Sequence, residues 1–274
     1  MGYIHMQPAN FLPPDALAPY IAFYGIFDVA EGIDEPYVSP PLGLCGFILS
    51  LNGMINARLN NNTLFMKGQY CATGQVTAPM TGNIRSNEKI VMVFIQPCGL
   101  YQFFGINMSL LTNTSMPLHE LLGEEVANPL IDQLKNADDH ISMIEILNAF
   151  FLSHLPPFEI VPSVKIAIDY IHQEKGNVSI KDIERNCYIT PRSLERYFKI
   201  YIGLSPKDYA KIYRFKCLMN YIHENPGVNW STLCEENGYY DQAHLTRYFT
   251  RYLKIKPTEM VKVDMDYINY LLQE

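Results

Sequence analysis

SLERYFKIYIGLSPKDYAK, residues 193–211, and HLTRYFTRYLKIKPTEMVK, residues 244–262, share seven identities in nineteen positions at an offset of 51. A repeated two-helix unit is the simplest reading of that match. Ahead of it the correspondence continues at an offset of 50, pairing Ile183 with Leu233 and Tyr188 with Gly238, so each unit reads helix, tight turn, helix. Thr190 followed by Pro191, and Ser205 followed by Pro206, are helix-start signals. The hydroxyl accepts from free N–H groups, and proline at the first helical position gives up an N–H that has no partner anyway. The second unit starts near Asn229 and turns at Gly238, a residue free to take positive φ.

In the second helix of each unit, Leu194, Tyr197, Phe198 and Tyr201, mirrored by Leu245, Tyr248, Phe249 and Tyr252, fall on one face at helical spacing. The opposite face carries Arg192, Glu195, Arg196 and Lys199 in the first copy, and Gln242, His244, Thr246, Arg247 and Arg251 in the second. These are the donors and acceptors that read base edges and phosphates in a major groove. One solvated face of Arg and Lys implies nothing by itself; two in tandem, joined by one predicted helix over residues 206–224, point to DNA. That 19-residue helix spans roughly 28 Å at about 1.5 Å per residue, close to the ~34 Å at which major grooves recur on one side of B-DNA.

Charge follows the same division. The chain has 274 residues and a net charge of −7, but residues 1–157 hold 5 basic and 13 acidic side chains while residues 158–262 hold 16 and 12. A phosphate-binding footprint needs its basic excess where the repeat lies. Length and a 48 % hydrophobic content fit two cores, one in residues 1–157 and one in 158–274. No apolar run approaches 18 residues, and the first residues lack a basic segment followed by an apolar one, so the sequence predicts no membrane span and no secretory signal. Six scattered cysteines without C-x-x-C spacing predict reduced thiols in a cytoplasmic protein, with no disulfide framework and no metal site.

Residues 1–19 contain four prolines and read as an irregular arm. From residue 20 to 96, short β-prone runs (20–29, 44–51, 55–59, 63–67, 70–73, 83–85 and 90–96) are separated by turn residues, among them Asn52-Gly53, Asn60-Asn61-Asn62 and Thr81-Gly82-Asn83. That spacing predicts a small antiparallel barrel or sandwich. Its aromatic residues, including Tyr20, Phe23, Phe27, Tyr37, Phe47 and Phe94, suit either a plain core or one small apolar ligand. No His occurs between Met6 and Leu118, which argues against the imidazole-rich metal site of barrel oxygenases. Helical spacing begins after Pro97-Cys98-Gly99, and the longest helix in this half, over 139–155, has an apolar stripe wide enough for either packing on the barrel or a two-fold dimer contact. Pro156-Pro157 and Pro162 make a stiff connector, and a last short helix is expected over 267–272.

The motifs Ile189-Thr190-Pro191-Arg192-x-Leu194-x-Arg196-x-Phe198, Gly203-Leu204-Ser205-Pro206 and Gly238-Tyr239-Tyr240-Asp241-Gln242-Ala243-His244-Leu245 resemble the DNA-binding domain of the AraC/XylS family of bacterial regulators, over about the last 100 residues. Leu194-Glu195-Arg196 and Arg214-Phe215, with residues 94–105 ahead of them, resemble a subgroup with a small cupin-like N-terminal sensor. The resemblance implies an α+β chain: an N-terminal antiparallel barrel followed by helices, then an all-α domain with two helix-turn-helix units. It implies sequence-specific binding to double-stranded promoter DNA, action on RNA polymerase, and often a small-molecule effector and a homodimer. The base-reading positions it assigns are Arg192, Glu195 and Arg196, and Gln242, His244, Thr246 and Arg247. Tyr188 stands where the family has a turn glycine, Glu184 where it has a small residue, and Lys254 where the first copy has Gly203. An N-terminal half that only oligomerises is the alternative. A barrel enzyme or a methyl-accepting repair protein would need an activated nucleophile or metal, and no cysteine here has a neighbouring Cys or His to serve it. The chain is therefore expected to be neither an enzyme nor dependent on a cofactor.

Overall fold

Runs rich in β-branched and aromatic residues pair antiparallel throughout the first half of the chain. The computed structural model describes residues 6–29, 34–53, 55–59 and 63–257. Its strands are β1 (Met6–Phe11), β2 (Ile21–Val29), β3 (Asp34–Ser39), β4 (Cys45–Ser50), β5 (Asn56–Leu59), β6 (Thr63–Leu64), β7 (Tyr70–Thr73), β8 (Met80–Arg85), β9 (Lys89–Ile95) and β10 (Ser115–Pro117). One sheet has the order β1-β2-β9-β4-β7-β10 and the other β3-β8-β5-β6. Among the described residues no strand pairing joins the two sheets, so the antiparallel architecture is present without a closed hydrogen-bonded ring.

Three strands, β1, β3 and β10, fall where the sequence suggests none. Each contains a proline, Pro8, Pro36 or Pro117, and each lies at a sheet edge. A proline cannot donate to the ladder and is tolerated only where one side of the strand needs no donor, so edge strands of this kind look like loops to a pattern search. The Asn60–Asn62 turn and the helix expected over 267–272 lie outside the described residues.

The central strands are covered on both faces. Every residue of β4 is buried: Phe47 and Leu49 join a core with the following helices, while Ile48 joins a core between the sheets. The helices on the first face are α1 (Gly99–Phe104), α2 (Leu118–Leu122), α3 (Glu124–Lys135) and α4 (His140–Ser153). Asp139 caps α4 by accepting from the Ser142 N–H, and Leu147 and Phe151 then face the sheet, with the Phe151 ring 5.7 Å from Phe47. Removing an aromatic ring from a site like that of Phe151 costs about 3–5 kcal/mol. The helix over 139–155 is thus packed on the sheet, and Ile141 and Leu152 remain exposed on its outer side.

The second half is all helix: α5 (Pro162–Gln173), α6 (Ile180–Cys187), α7 (Pro191–Tyr201), α8 (Pro206–Glu224), α9 (Trp230–Glu236) and α10 (Gln242–Leu253). Leu194, Phe198 and Tyr201 of α7 and their repeat partners Leu245, Phe249 and Tyr252 of α10 are all buried in one cluster. Phe215 of α8 lies between the units, its ring 5.9 Å from Phe249 and 5.0 Å from Tyr252. The two halves of the chain touch. Thr112 donates to the Gly203 carbonyl at 2.6 Å, the Tyr101 and Tyr201 rings are 4.5 Å apart, and Leu42 packs against both the inter-sheet core and the core of the second half.

Candidate nucleic-acid interface

Each helix of the repeated region starts where a side chain caps it. Ser179, Thr190, Ser205, Asn229 and Asp241 accept from the N–H three residues on, which satisfies donors a helix start leaves open. At Ser179 the hydroxyl and then the backbone N–H also donate to the Asp182 carboxylate, and these two hydrogen bonds hold its carboxyl below the usual carboxylate range. Both reading helices therefore begin at fixed residues, α7 after Thr190 and α10 after Asp241.

The turns before them differ in chemistry but not in shape. Tyr188 (φ 51) and Gly238 (φ 66) both take the left-handed conformation, as their pairing at an offset of 50 implies. The same holds after the reading helices, where Gly203 (φ 90) matches Lys254 (φ 59). The departures at Tyr188 and Lys254 are thus absorbed by the backbone. Tyr188 is 95 % exposed and gains no packing in return.

On α7, Arg192, Glu195, Arg196 and Lys199 are all exposed at i, i+3, i+4 and i+7, so they form one continuous solvent face. The Arg196 guanidinium lies 4.7 Å from the Tyr197 ring, which holds its base while leaving its donors outward. On α10, Gln242, Arg247 and Arg251 are exposed in the same way, and Arg251 lies over Tyr252. His244 and Thr246 are half-buried. The Thr246 hydroxyl donates to the Gln242 carbonyl at 2.7 Å, and Thr246 and Gln242 flank Trp230 in a shallow groove. The His244 ring packs edge-on against Tyr239 and Tyr248, which also touch each other, and accepts from the Tyr240 N–H. Burial first, then Arg214 and Arg247, hold His244 below the ordinary histidine range.

One residue of the interface escapes a search for exposed cations. Arg214, in the middle of α8, donates to the carbonyls of Asn237 and Gly238 and stacks 4.3 Å from the Tyr239 ring. It fastens the turn that opens α10 to the helix that carries both units. Its signal in the sequence is a cation among the apolar residues of the joining helix, next to Phe215.

A second candidate site lies between the sheets of the first half, where a cavity of about 90 Å³ is lined mainly by apolar side chains, including Phe27, Ile48, Phe65 and Met92. Among the described residues no group of three or more His, Cys, Asp or Glu side chains is placed to hold a metal ion, and none of the helices is long and apolar enough to cross a membrane.

Comparison with known proteins bears on both halves. A helix-turn-helix domain family matches residues 185–262, and a domain of unknown function, DUF6597, matches residues 9–117. No curated protein matches the chain. Solved structures that align with it include ToxT from Vibrio cholerae, at 10% identity and a TM-score of 0.47 over 87% of this chain and 97% of that one. Wild-type ToxT from the same organism with a bound unsaturated fatty acid aligns at 9% identity and 0.44, over 87% and 94%. The AraC-like transcriptional activator CuxR aligns at 14% identity and 0.33, over 79% and 95%.

Proposed function

We propose that the chain, whose residues 185–262 match a helix-turn-helix domain family, is an AraC-type regulator that binds specific promoter sites through α7 and α10 and answers to a small effector held in its N-terminal half. The observation that carries this reading is the pair of matched exposed faces, Arg192, Glu195, Arg196 and Lys199 on α7 and Gln242, Arg247 and Arg251 on α10, on two helices packed against one 19-residue helix. Their arginines suit guanine or phosphate, and Gln242 suits adenine. His244 and Thr246 lie beside them and take part through their ring edge and methyl group. We place the boundary between sensor and DNA-binding parts at 157/158, in the proline-rich connector, and the protein in the cytoplasm, acting on RNA polymerase.

The reading is not catalytic. Burial pushes the Cys45 thiol up to about 12 and the Cys98 thiol higher still, so neither is an available nucleophile. The exposed Ile141 and Leu152 on α4 favour a second reading of the N-terminal half, as a surface that pairs two copies; the inter-sheet cavity favours the sensor.

The test is selection of bound fragments from genomic DNA of the source organism by the full-length protein, followed by anisotropy titration on the selected site. Arg247→Ala is expected to weaken binding by roughly 1–3 kcal/mol and to relax preference at one base pair. Binding that shows no sequence preference, or is unmoved by Arg247→Ala and Arg196→Ala together, would sink the reading.

A further inference from the structure

We propose that the cavity between the sheets takes a compact, uncharged, mainly apolar ligand with a single hydrogen-bonding group, and that its occupancy is passed to α8 through residues 39–46. This rests on the reading of the N-terminal half as a sensor, and it specifies both the ligand class and the route of the signal.

The size of the void sets the first limit. An apolar cavity of about 150 Å³ takes benzene, so this void of about 90 Å³, open on one side, takes no more than about one ring, with the rest of a ligand at its mouth. Charge sets the second. No Asp, Glu, Lys, Arg or His is among the described lining residues, so an anionic or cationic ligand would be desolvated with no partner to compensate it. The Phe27 and Phe65 side chains of the inter-sheet core favour an aromatic or flat aliphatic body.

Polar chemistry sets the third limit. Of the polar side chains in the wall, the Thr73 hydroxyl already donates to the Gly46 carbonyl at 3.2 Å, and the Cys45 thiol donates to the carbonyls of Ile95 and Gln96. Tyr37 is also engaged. Ser39 is 6 % exposed and lines the cavity, where its hydroxyl is the polar group open to a ligand. A ligand oxygen or nitrogen at this point would gain a hydrogen bond that a plain hydrocarbon cannot make.

The route follows from what lies behind the wall. Pro40, Leu42 and Leu44 face the cavity. Leu42 also packs into the core of the DNA-binding half, and a Cβ on Gly43 would stand 3.6 Å from Tyr209 and 3.8 Å from Ile212 of α8. Gln75 holds the segment by donating to the Gly43 carbonyl at 2.9 Å. A single layer of chain therefore separates a ligand from the helix that carries both reading units. Interiors are close-packed and pass small displacements on rather than absorbing them.

Full-length protein is titrated with benzyl alcohol, toluene and sodium benzoate, which share a ring and differ in polarity and charge, with melting temperature and affinity for the selected DNA site as readouts. Benzyl alcohol is expected to raise the melting temperature and bind several-fold tighter than toluene, with benzoate at least tenfold weaker. Ser39→Ala should erase the advantage of benzyl alcohol over toluene, and Leu42→Ala should keep binding but uncouple it from the change in DNA affinity. Benzoate binding as tightly as benzyl alcohol, or no probe binding at all, overturns the ligand class. An unchanged coupling in Leu42→Ala overturns the route. Val76→Phe, which fills the void, should abolish all three responses; if it melts below the parent protein, Ser39→Ala alone decides the ligand class. DNA affinity without any probe is measured in parallel, and its loss would count against the DNA-binding reading instead.

Discussion

Tyr188 is a bulky side chain in a backbone conformation that disfavours one, with φ 51 and 95 % of its surface in solvent. Left-handed backbone costs a non-glycine residue roughly 1–2 kcal/mol, of which the greater freedom of glycine in the unfolded chain returns part. Tyr188→Gly is expected to stabilise the protein by about 0.5–1 kcal/mol, seen as a rise of about 1–3 °C in the thermal midpoint; a fall would show that the tyrosine makes a contact which outweighs the strain. His244 supplies a prediction of a different kind. Burial, then Arg214 and Arg247, depress it from the usual 6.5, with Asp241 opposing and the Tyr239 and Tyr248 rings packed against it. A depressed histidine gives stability that is fully present above about 6.5 and is lost as pH falls toward its folded value. Phosphates at the reading face act in the opposite sense, because they favour the imidazolium. Binding should therefore take up a proton, and affinity for the selected site should rise as pH falls from 8 to 6 by more than in His244→Gln. Equal pH slopes in the two proteins would remove His244 from the interface.

At the scale of elements, α10 is only as well placed as the turn before it, and that turn hangs on Arg214. Arg214→Ala removes donors to the Asn237 and Gly238 carbonyls and the stack on Tyr239. Losing hydrogen bonds from a charged group costs about 1.5–3 kcal/mol. The expected result is local: footprinting should show protection lost over the half-site read by α10 and kept over that read by α7, with partial rescue by Arg214→Lys, which restores a point donor but not the fork. Uniform loss over both half-sites would mean that Arg214 supports the whole domain. The elements of this half were legible in the sequence because each one announces its start. Thr190-Pro191, Ser205-Pro206, Asn229 and Asp241 cap four of the helices, and the repeat placed the buried faces of α7 and α10. The N-terminal strands were half legible. Central β2, β4, β7 and β9 carry unbroken apolar runs, whereas edge strands β1, β3 and β10 carry prolines that read as breaks. Arg214 was not legible as part of the interface because its partners are main-chain carbonyls, and a carbonyl has no letter in a sequence. Ser39 was missed for a related reason, since a hydroxyl that lines a cavity is recognised only once its surroundings are known.

At the scale of the molecule, the question is whether the two reading units act as one rigid body or as two tethered ones. α8 runs unbroken from Pro206 to Glu224, and its buried residues Tyr209, Phe215 and Met219 lie in the same core as α7 and α10. A packed helix does not stretch, so α8 holds the two units at one fixed spacing, and on the DNA-binding reading a fixed spacing suits only one separation of half-sites, that of adjacent major grooves on one side of the duplex. A flexible tether predicts otherwise, because two freely moving units would lose affinity when 5 base pairs are inserted between the half-sites and regain it when about 10 restore the helical phase. The rigid rod predicts loss in both cases. Each insertion should cost the contribution of one unit, at least about 2 kcal/mol or roughly thirtyfold in Kd, and leave a footprint over one half-site only. Recovery with the 10-base-pair insertion would show that the units move independently, and the single core that joins them would then not hold during binding.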